Sequence, residues 1–252
     1  MDKEGMTMEP IYKQKFQITT AAVDCFGRLK PSMLLYYCQE VAGNHCIELG
    51  TDYDSMAAKN MFWAVIRQKV QVTRLPRVGE TITVETWPMP TTRTNYPRAT
   101  VGYDGEGNEL FKVLGLWVVM DLVSRTMILP KKSGVIVEGT LRGGELSVPG
   151  SLNPKDLMGL YSRRVGYTDL DRNGHMNNTR YLEWMDDLLS SDFHRENEPK
   201  EISICYHAEA REGQMLHLHW QLSEEKQLLV DALRQEPADE TMHHVFAAKV
   251  QF

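Results

Sequence analysis

The chain has 252 residues, 42% of them hydrophobic, and 34 acidic against 28 basic side chains give it a net charge of −6. That apolar fraction supports a packed core and excludes a disordered chain, and the length suits one large domain or two of about 125 residues. No basic block long enough for a nucleic-acid footprint is present, and the most apolar stretch, residues 110–122, carries Lys112 and Asp121 and falls short of the roughly 20 residues that a membrane helix needs.

The opening MDKEGMTMEP has no basic region followed by an apolar run, so no secretory signal is expected. Residues 31–49 predict a helix, with Pro31 suited to its first position and Gly50 to its stop. Leu34, Cys38, Val41, Ala42, His45 and Leu49 make one stripe, and Met33, Leu35, Tyr36, Tyr37 and Ile47 widen it. A helix apolar on most sides belongs in a core. Strand-like runs follow at 62–72, 81–87, 98–104 and 109–121, with turns at 76–80 and 104–108. Residues 139–154 hold four glycines and two prolines and read as a linker. Beyond it the order recurs. Tyr181, Trp184, Met185, Leu188 and Leu189 predict a helix starting near Asn177 and Asn178, and strands are expected at 201–208, 215–222, 228–234 and 243–252.

The halves can be overlaid. An offset of 145 places Asp24 on Asp169 and Tyr36 on Tyr181, and one of 134 places Gly79 on Gly213, Ile82 on Leu216 and Val84 on Leu218. The element order predicts an α+β fold in which two tandem units each wrap an antiparallel sheet around one long helix. The divisions are 1–138, a linker at 139–158, and 159–252. The scattered cysteines, Cys25, Cys38, Cys46 and Cys205, form no CxxC pair and point to reduced thiols in the cytoplasm.

The chemistry concentrates in the run Asp169, Asp171, Asn173, His175 and Asn177, polar side chains at every second position just before a helix. An extended segment would project them to one side, and the helix start beyond offers N–H groups for a developing oxyanion. As a calcium loop the run has the sixth-place glycine, but Arg180 stands where a bidentate Glu is needed. As turn and cap residues, Asp169, Asn177 and Asn178 are well explained and His175 poorly. His217, His219, His243 and His244 read as solvated, since no acid or thiol triplet accompanies them. A Cys205–His207 pair stays open, because residues two apart on a strand share a face.

The string DLDRNGHMNNTRYLEW resembles the signature of the plant and bacterial chain-terminating acyl-ACP thioesterases, in which Asp-x-Asn-x-His-x-Asn-Asn precedes the hotdog helix. The resemblance covers nearly the whole chain and implies a double hotdog fold. It implies catalysis in the C-terminal copy through Asp171, Asn173 and His175, joined by Glu209 in the run YHAEAREG. Plant members carry Cys directly after this glutamate; here Ala210 stands there, which favours water attack. The implied reaction turns fatty acyl-ACP into free fatty acid and holo-ACP, ending chain elongation, without cofactor or metal. The implied partner is an acyl carrier protein bearing a phosphopantetheine-linked chain, and a homodimer is left open. An acyl-CoA thioesterase of the same fold and a non-catalytic acyl-binding protein are the alternatives.

In this reading Glu209 takes the water proton, and His175 orients the water or serves the leaving thiolate. Asn173 and a helix N–H hold the carbonyl oxygen, while Asp171 fixes His175 or Asn173. The overlay sets Asp171, Asn173 and His175 against Phe26, Arg28 and Lys30, and Glu209 against Leu75. The first copy is therefore expected to lack the chemistry and to shape the acyl pocket through Leu34, Leu35, Cys38 and Val41, with Asn177 as a further substrate contact. Lys131, Lys132, Arg163 and Arg164 are expected to meet an acidic carrier.

Overall fold

Two helices that are apolar on the side they turn inward need a sheet to cover them, and the strands supply it. The computed structural model describes residues 10–235 and 241–252; the expectation about a secretory signal rests mainly on residues 1–9, outside the described residues. In the first half come β1 (Tyr12–Gln17), α1 (Pro31–Glu48), a short α2 (Tyr53–Ala57), β2 (Met61–Val72), β3 (Thr81–Pro88), β4 (Tyr96–Tyr103), β5 (Glu109–Asp121), β6 (Met127–Ile128) and α3 (Pro130–Ser133). The second half holds β7 (Gly159–Arg164), α4 (Asn178–Asp186), α5 (Ser191–Glu196), β8 (Glu201–Tyr206), β9 (Met215–Leu222), β10 (Gln227–Gln235) and β11 (Met242–Gln251).

All strand pairs are antiparallel, in the order β1-β3-β4-β5-β2-β8-β11-β10-β9-β7, with β6 added to β5. The second five strands, read backwards from β7, repeat the order of the first five. The halves join where β2 pairs with β8, from Arg67 opposite Cys205 to Gln71 opposite Glu201. One core cluster runs through both halves, combining Leu34, Leu35 and Val41 of α1 with Tyr181, Trp184 and Met185 of α4 and with Ile82, Leu110, Leu218 and Phe246 of the sheet. Full burial of each such side chain contributes about 1.5–3 kcal/mol relative to exposure. No helix among the described residues is long and apolar enough to cross a membrane.

Residues 134–158 contain no helix or strand, yet they are not a free tether. Ile204 packs in the helix-side core, so its neighbour Cys205 points to the opposite face. There its Sγ donates to the Gly150 carbonyl at 3.4 Å. Thr140 donates to Pro88, Arg142 pairs with Glu85 at 2.6 Å, and Arg67 donates to Pro149. The segment is thus a strap across the face away from the helices. A Cβ on Gly139 would sit 2.2 Å from the Met89 carbonyl carbon and 2.3 Å from Pro90 N, both backbone atoms. Gly139→Ala should therefore lower stability by about 1–3 kcal/mol, read as a lower urea midpoint.

Candidate active site

The Asp171–His175 run converges by a turn rather than by extended alternation. Leu170 bridges Met176, the Asp171 N–H donates to the His175 carbonyl at 2.8 Å, and the Gly174 N–H donates to the Asp171 carbonyl at 3.0 Å. Gly174 has φ +74°, a conformation that costs glycine nothing. The Asp171 Oδ1 accepts from the N–H groups of Asn173 (2.8 Å) and His175 (3.3 Å). The Met176 N–H then donates to the Ala210 carbonyl at 2.8 Å, clamping the turn to the segment after β8. That clamp brings His175 Nε2 within 3.0 Å of Glu209 Oε2.

The same turn exists in the first half without the chemistry. Asp24 Oδ1 accepts from the N–H groups of Phe26 and Arg28 at 2.9 Å each, Gly27 has φ +75°, and the Leu29 N–H donates to Pro76 as Met176 does to Ala210. These equivalences set the offset before the helix at 147 (171 − 24 and 176 − 29), not 145, while 134 holds for the later segment (210 − 76). Asp171, Asn173 and His175 therefore face Asp24, Phe26 and Arg28, and Glu209 faces Leu75. The register from single matched residues slipped by two because the shared feature is a turn geometry. The aspartate position is filled in both copies, so its role is to build the turn. Asp24→Ala should cost about 1–2 kcal/mol of unfolding free energy with kcat unchanged, whereas Asp171→Ala should lower both; urea titration beside steady-state kinetics checks this. Arg28, in the histidine position, is held by Asp24 at 2.8 Å and by the His194 carbonyl of α5 at 2.8 Å.

Two cavities meet at the turn. One, of about 520 Å3, is lined by His175, Glu209, Tyr206, Arg125 and Arg211 among others. The second, of about 340 Å3 and mainly apolar, runs under the first-half sheet past Met56, Tyr96 and Trp117. Phe62, Trp63, Asp171, Asn173 and Asn178 line both. Asn177 lines the second cavity and caps α4, its side chain accepting from the Thr179 N–H at 3.0 Å. The expected pocket residues of α1 lie elsewhere. Leu34, Leu35, Cys38 and Val41 are in the core cluster, and the helix turns Gln39, Ala42, Gly43 and Cys46 to the cavity. The reason is geometric: Leu34, Leu35 and Val41 fill the space against the sheet and α4, and the cavity opens on the face that carries Ala42 and Gly43.

Burial holds the His175 imidazole below the usual histidine range; Glu209 and Asp171 oppose the shift, and Arg125 and Arg211 add to it. The ring is therefore neutral at pH 7. Asn173 Nδ2 donates to Asp171 Oδ2 at 3.4 Å, and its Oδ1 is buried with no hydrogen-bond partner among the described residues. Asn173 itself lines both cavities, with its amide beside the Asp171 carboxylate.

Arg125, Arg211 and Arg234 also meet Glu209 but carried no sequence signal. Arg125 Nη1 lies 3.4 Å from Glu209 Oε1 and its guanidinium stacks on Phe62; Arg234 donates to the Glu209 carbonyl. Arg125 reaches the site from the β5–β6 turn of the other half. Cys205 is 2% exposed and lines neither cavity. His244 pairs with Asp231 at 2.9 Å and His217 meets Ser162 Oγ at 2.8 Å. The basic pairs are not neighbours in the sheet: Lys131 and Lys132 stand exposed on α3 beside β5, while Arg163 and Arg164 lie on edge strand β7. Arg163 is bound to Asp187 at 2.8 Å and Arg164 to the Gly213 carbonyl at 2.6 Å.

A duplicated helix-in-sheet unit of this kind is an α+β double hotdog. The chain belongs to the acyl-ACP thioesterase family: residues 9–129 match the model of the family's N-terminal domain and residues 156–246 that of its C-terminal domain. It is 24% identical over 224 residues to an acyl-[acyl-carrier-protein] hydrolase of Cuphea viscosissima, covering 81% of this chain and 53% of that protein. It is 25% identical over 190 residues to a palmitoyl-acyl carrier protein thioesterase of Gossypium hirsutum, covering 69% and 46%. The chain thus spans about half the length of the curated relatives it matches. Among solved structures it resembles an acyl-ACP thioesterase of Bacteroides thetaiotaomicron (TM-score 0.81, 22% identity, 96% of this chain and 98% of that one) and the 12:0-ACP thioesterase of Umbellularia californica (TM-score 0.81, 19% identity, 96% and 97%).

Proposed function

We propose that this chain hydrolyses fatty acyl-ACP thioesters to free fatty acid and holo-ACP, ending chain elongation. The observation that carries the reading is the 3.0 Å contact of His175 Nε2 with Glu209 Oε2 in the larger cavity, which meets the apolar one at Asp171 and Asn173. The phosphopantetheine arm enters the 520 Å3 cavity, the acyl chain occupies the 340 Å3 cavity, and the thioester carbonyl sits at their junction.

Water in the larger cavity attacks the carbonyl carbon while Glu209 accepts its proton. The oxyanion lies against the first turn of α4, where the Asn178 N–H has no partner within the helix. Collapse breaks the C–S bond, and the Glu209–His175 pair returns the proton to the thiolate. Neutral His175 donates from Nε2 to the Glu209 carboxylate and holds it in place. Asp171 keeps the turn that presents both.

In this reading Lys131, Lys132, Arg163 and Arg164 meet the acidic carrier. The four cysteines are free thiols, which supports a reducing, cytoplasmic setting. A homodimer would use surfaces other than the facing edges of β2 and β8, which pair with each other.

The test is release of free fatty acid from acyl-ACP and acyl-CoA carrying the same chain. Faster turnover of acyl-ACP is expected. Faster turnover of acyl-CoA would make the chain an acyl-CoA thioesterase, and binding without release would make it an acyl-binding protein.

A further inference from the structure

The apolar cavity has a cation in its wall. Arg98 of β4 is the one basic residue among its described lining residues, which otherwise include Ala42, Met56, Phe62, Trp63, Tyr96 and Trp117. Its Nη1 lies 3.2 Å from His45 Nδ1 and 3.4 Å from Thr86 Oγ1, and its Nη2 lies 3.8 Å from Cys46 Sγ. None of these three partners is a carboxylate, and Thr86 Oγ1 is already bonded to the Ala99 carbonyl at 2.9 Å and to Thr100 Oγ1 at 3.0 Å. Among the described residues, no carboxylate forms an ion pair with Arg98. Asp52, an acid in the same lining, is taken up by Ser55 and the N–H of Asp54. A guanidinium offers five N–H donors and stays charged in proteins. Burial works against that charge here.

Arg98 is also far from the reacting bond. Phe62 and Trp63 of β2 border the Asp171–Asn173 junction, and β4 lies beyond β5 in the sheet. Two strand spacings are about 10 Å. An acyl chain entering past Asn173 and running under β2 and β5 would therefore bring its distal part, not its thioester end, to Arg98. A hydrocarbon end would strip water from the guanidinium and return nothing, and burying an unpaired charge is costly. An oxygen at that place would instead complete the donor set.

We infer that the cavity selects acyl chains carrying a hydrogen-bond-accepting oxygen on their distal part, read by the Arg98 guanidinium. This rests on the proposed assignment of the cavity to the acyl chain and names the substrate class that it admits. An ω-carboxylate pairs with both arms of the guanidinium; an ω-hydroxyl accepts a single bond. Of the two, the carboxylate gains more, since it adds an opposite charge and two parallel N–H···O bonds where the hydroxyl accepts one.

Three ACP thioesters of equal chain length, plain, ω-hydroxy and ω-carboxy, distinguish these cases by kcat/KM with wild-type protein, Arg98→Lys and Arg98→Met. Wild type should favour the oxygenated chains by about tenfold, in the order carboxylate then hydroxyl. Arg98→Lys should keep a reduced preference, and Arg98→Met should lose it and gain on the plain chain. A second readout needs neither turnover nor a folded Met variant: the free ω-dicarboxylic acid should raise the wild-type Tm more than the monocarboxylic acid of the same length. Equal or better hydrolysis of the plain chain by wild type, or an Arg98→Met preference equal to that of wild type, would overturn the inference and leave thioester hydrolysis standing. Absence of hydrolysis of all three would sink the proposed function, while the Tm comparison would still decide what Arg98 reads.

Discussion

Alanine at Glu209 or at His175 should lower the maximal rate of thioester hydrolysis by about 10²–10⁴ with the fold intact, the loss typical of removing a positioned proton-transfer group. The fold should survive because neither side chain is central to the core. Glu209 is a third exposed, at 33%, and His175 faces the larger cavity. The turn that presents them is held by Asp171 and by backbone bonds from Asp171, Gly174 and Met176. Cys205→Ser is the matching control, because that thiol donates to Gly150 on the other face of the sheet; its rate should stay near wild type. A folded, inactive Cys205→Ser would return the nucleophile to sulfur, and near-full activity in Glu209→Ala would remove the carboxylate from the mechanism.

The pH profile gives a sharper test of the same pair. Burial depresses the His175 pKa below the 6.5 of an unperturbed histidine, so the proposed mechanism works with the neutral ring. Activity should be full above that range and fall as pH drops through the depressed value. Glu209 pulls that pKa upward and Arg125 pushes it down. The residual activity of Glu209→Ala should therefore show its acid limb at lower pH than wild type, and Arg125→Met should show it at higher pH. Opposite movements would mean that the limb belongs to another group.

What could be read from the residues, and what could not, divides along physical lines. The span of α1 followed from Pro31 and Gly50, and β5 and β9 fell at their expected limits because long alternating or apolar runs are strong signals. The edge strand β1 was missed: YKQKFQ is short and mostly polar, and it becomes a strand only by pairing with β3. Asp171, Asn173 and His175 were legible as a polar run before a helix and Glu209 only through the family resemblance; the structure brings His175 and Glu209 together. Their convergence was not legible, since it depends on a glycine turn and on the Met176–Ala210 clamp between distant segments. Arg125 is 84 residues from Glu209 and enters through tertiary packing alone. The strap at 139–158 was hidden for a related reason, because glycine-rich composition reads as freedom even where Gly139 is required by close backbone contact.

The face of α1 was the other thing composition concealed, and correcting it moves the place where chain length should be controlled. A helix apolar on nearly every side does not reveal which side meets protein and which meets a cavity. Val41 is fully buried in the core, while Ala42 and Cys46 face the cavity. Enlarging the latter, in Ala42→Phe and Cys46→Phe, should shift preference to shorter acyl chains while hydrolysis of a short substrate persists. Each buried CH₂ contributes about 0.8 kcal/mol, so space lost for two methylenes should change the long-to-short kcat/KM ratio by roughly fifteenfold. Val41→Trp should behave differently. It overpacks a filled core, at a cost of about 1–3 kcal/mol in stability, and should leave the chain-length ratio where it was. Measuring that ratio beside urea stability for all three variants separates the two faces of the helix. If Val41→Trp moves the ratio and the cavity-facing substitutions change only the overall rate, the acyl chain does not lie in the 340 Å3 cavity.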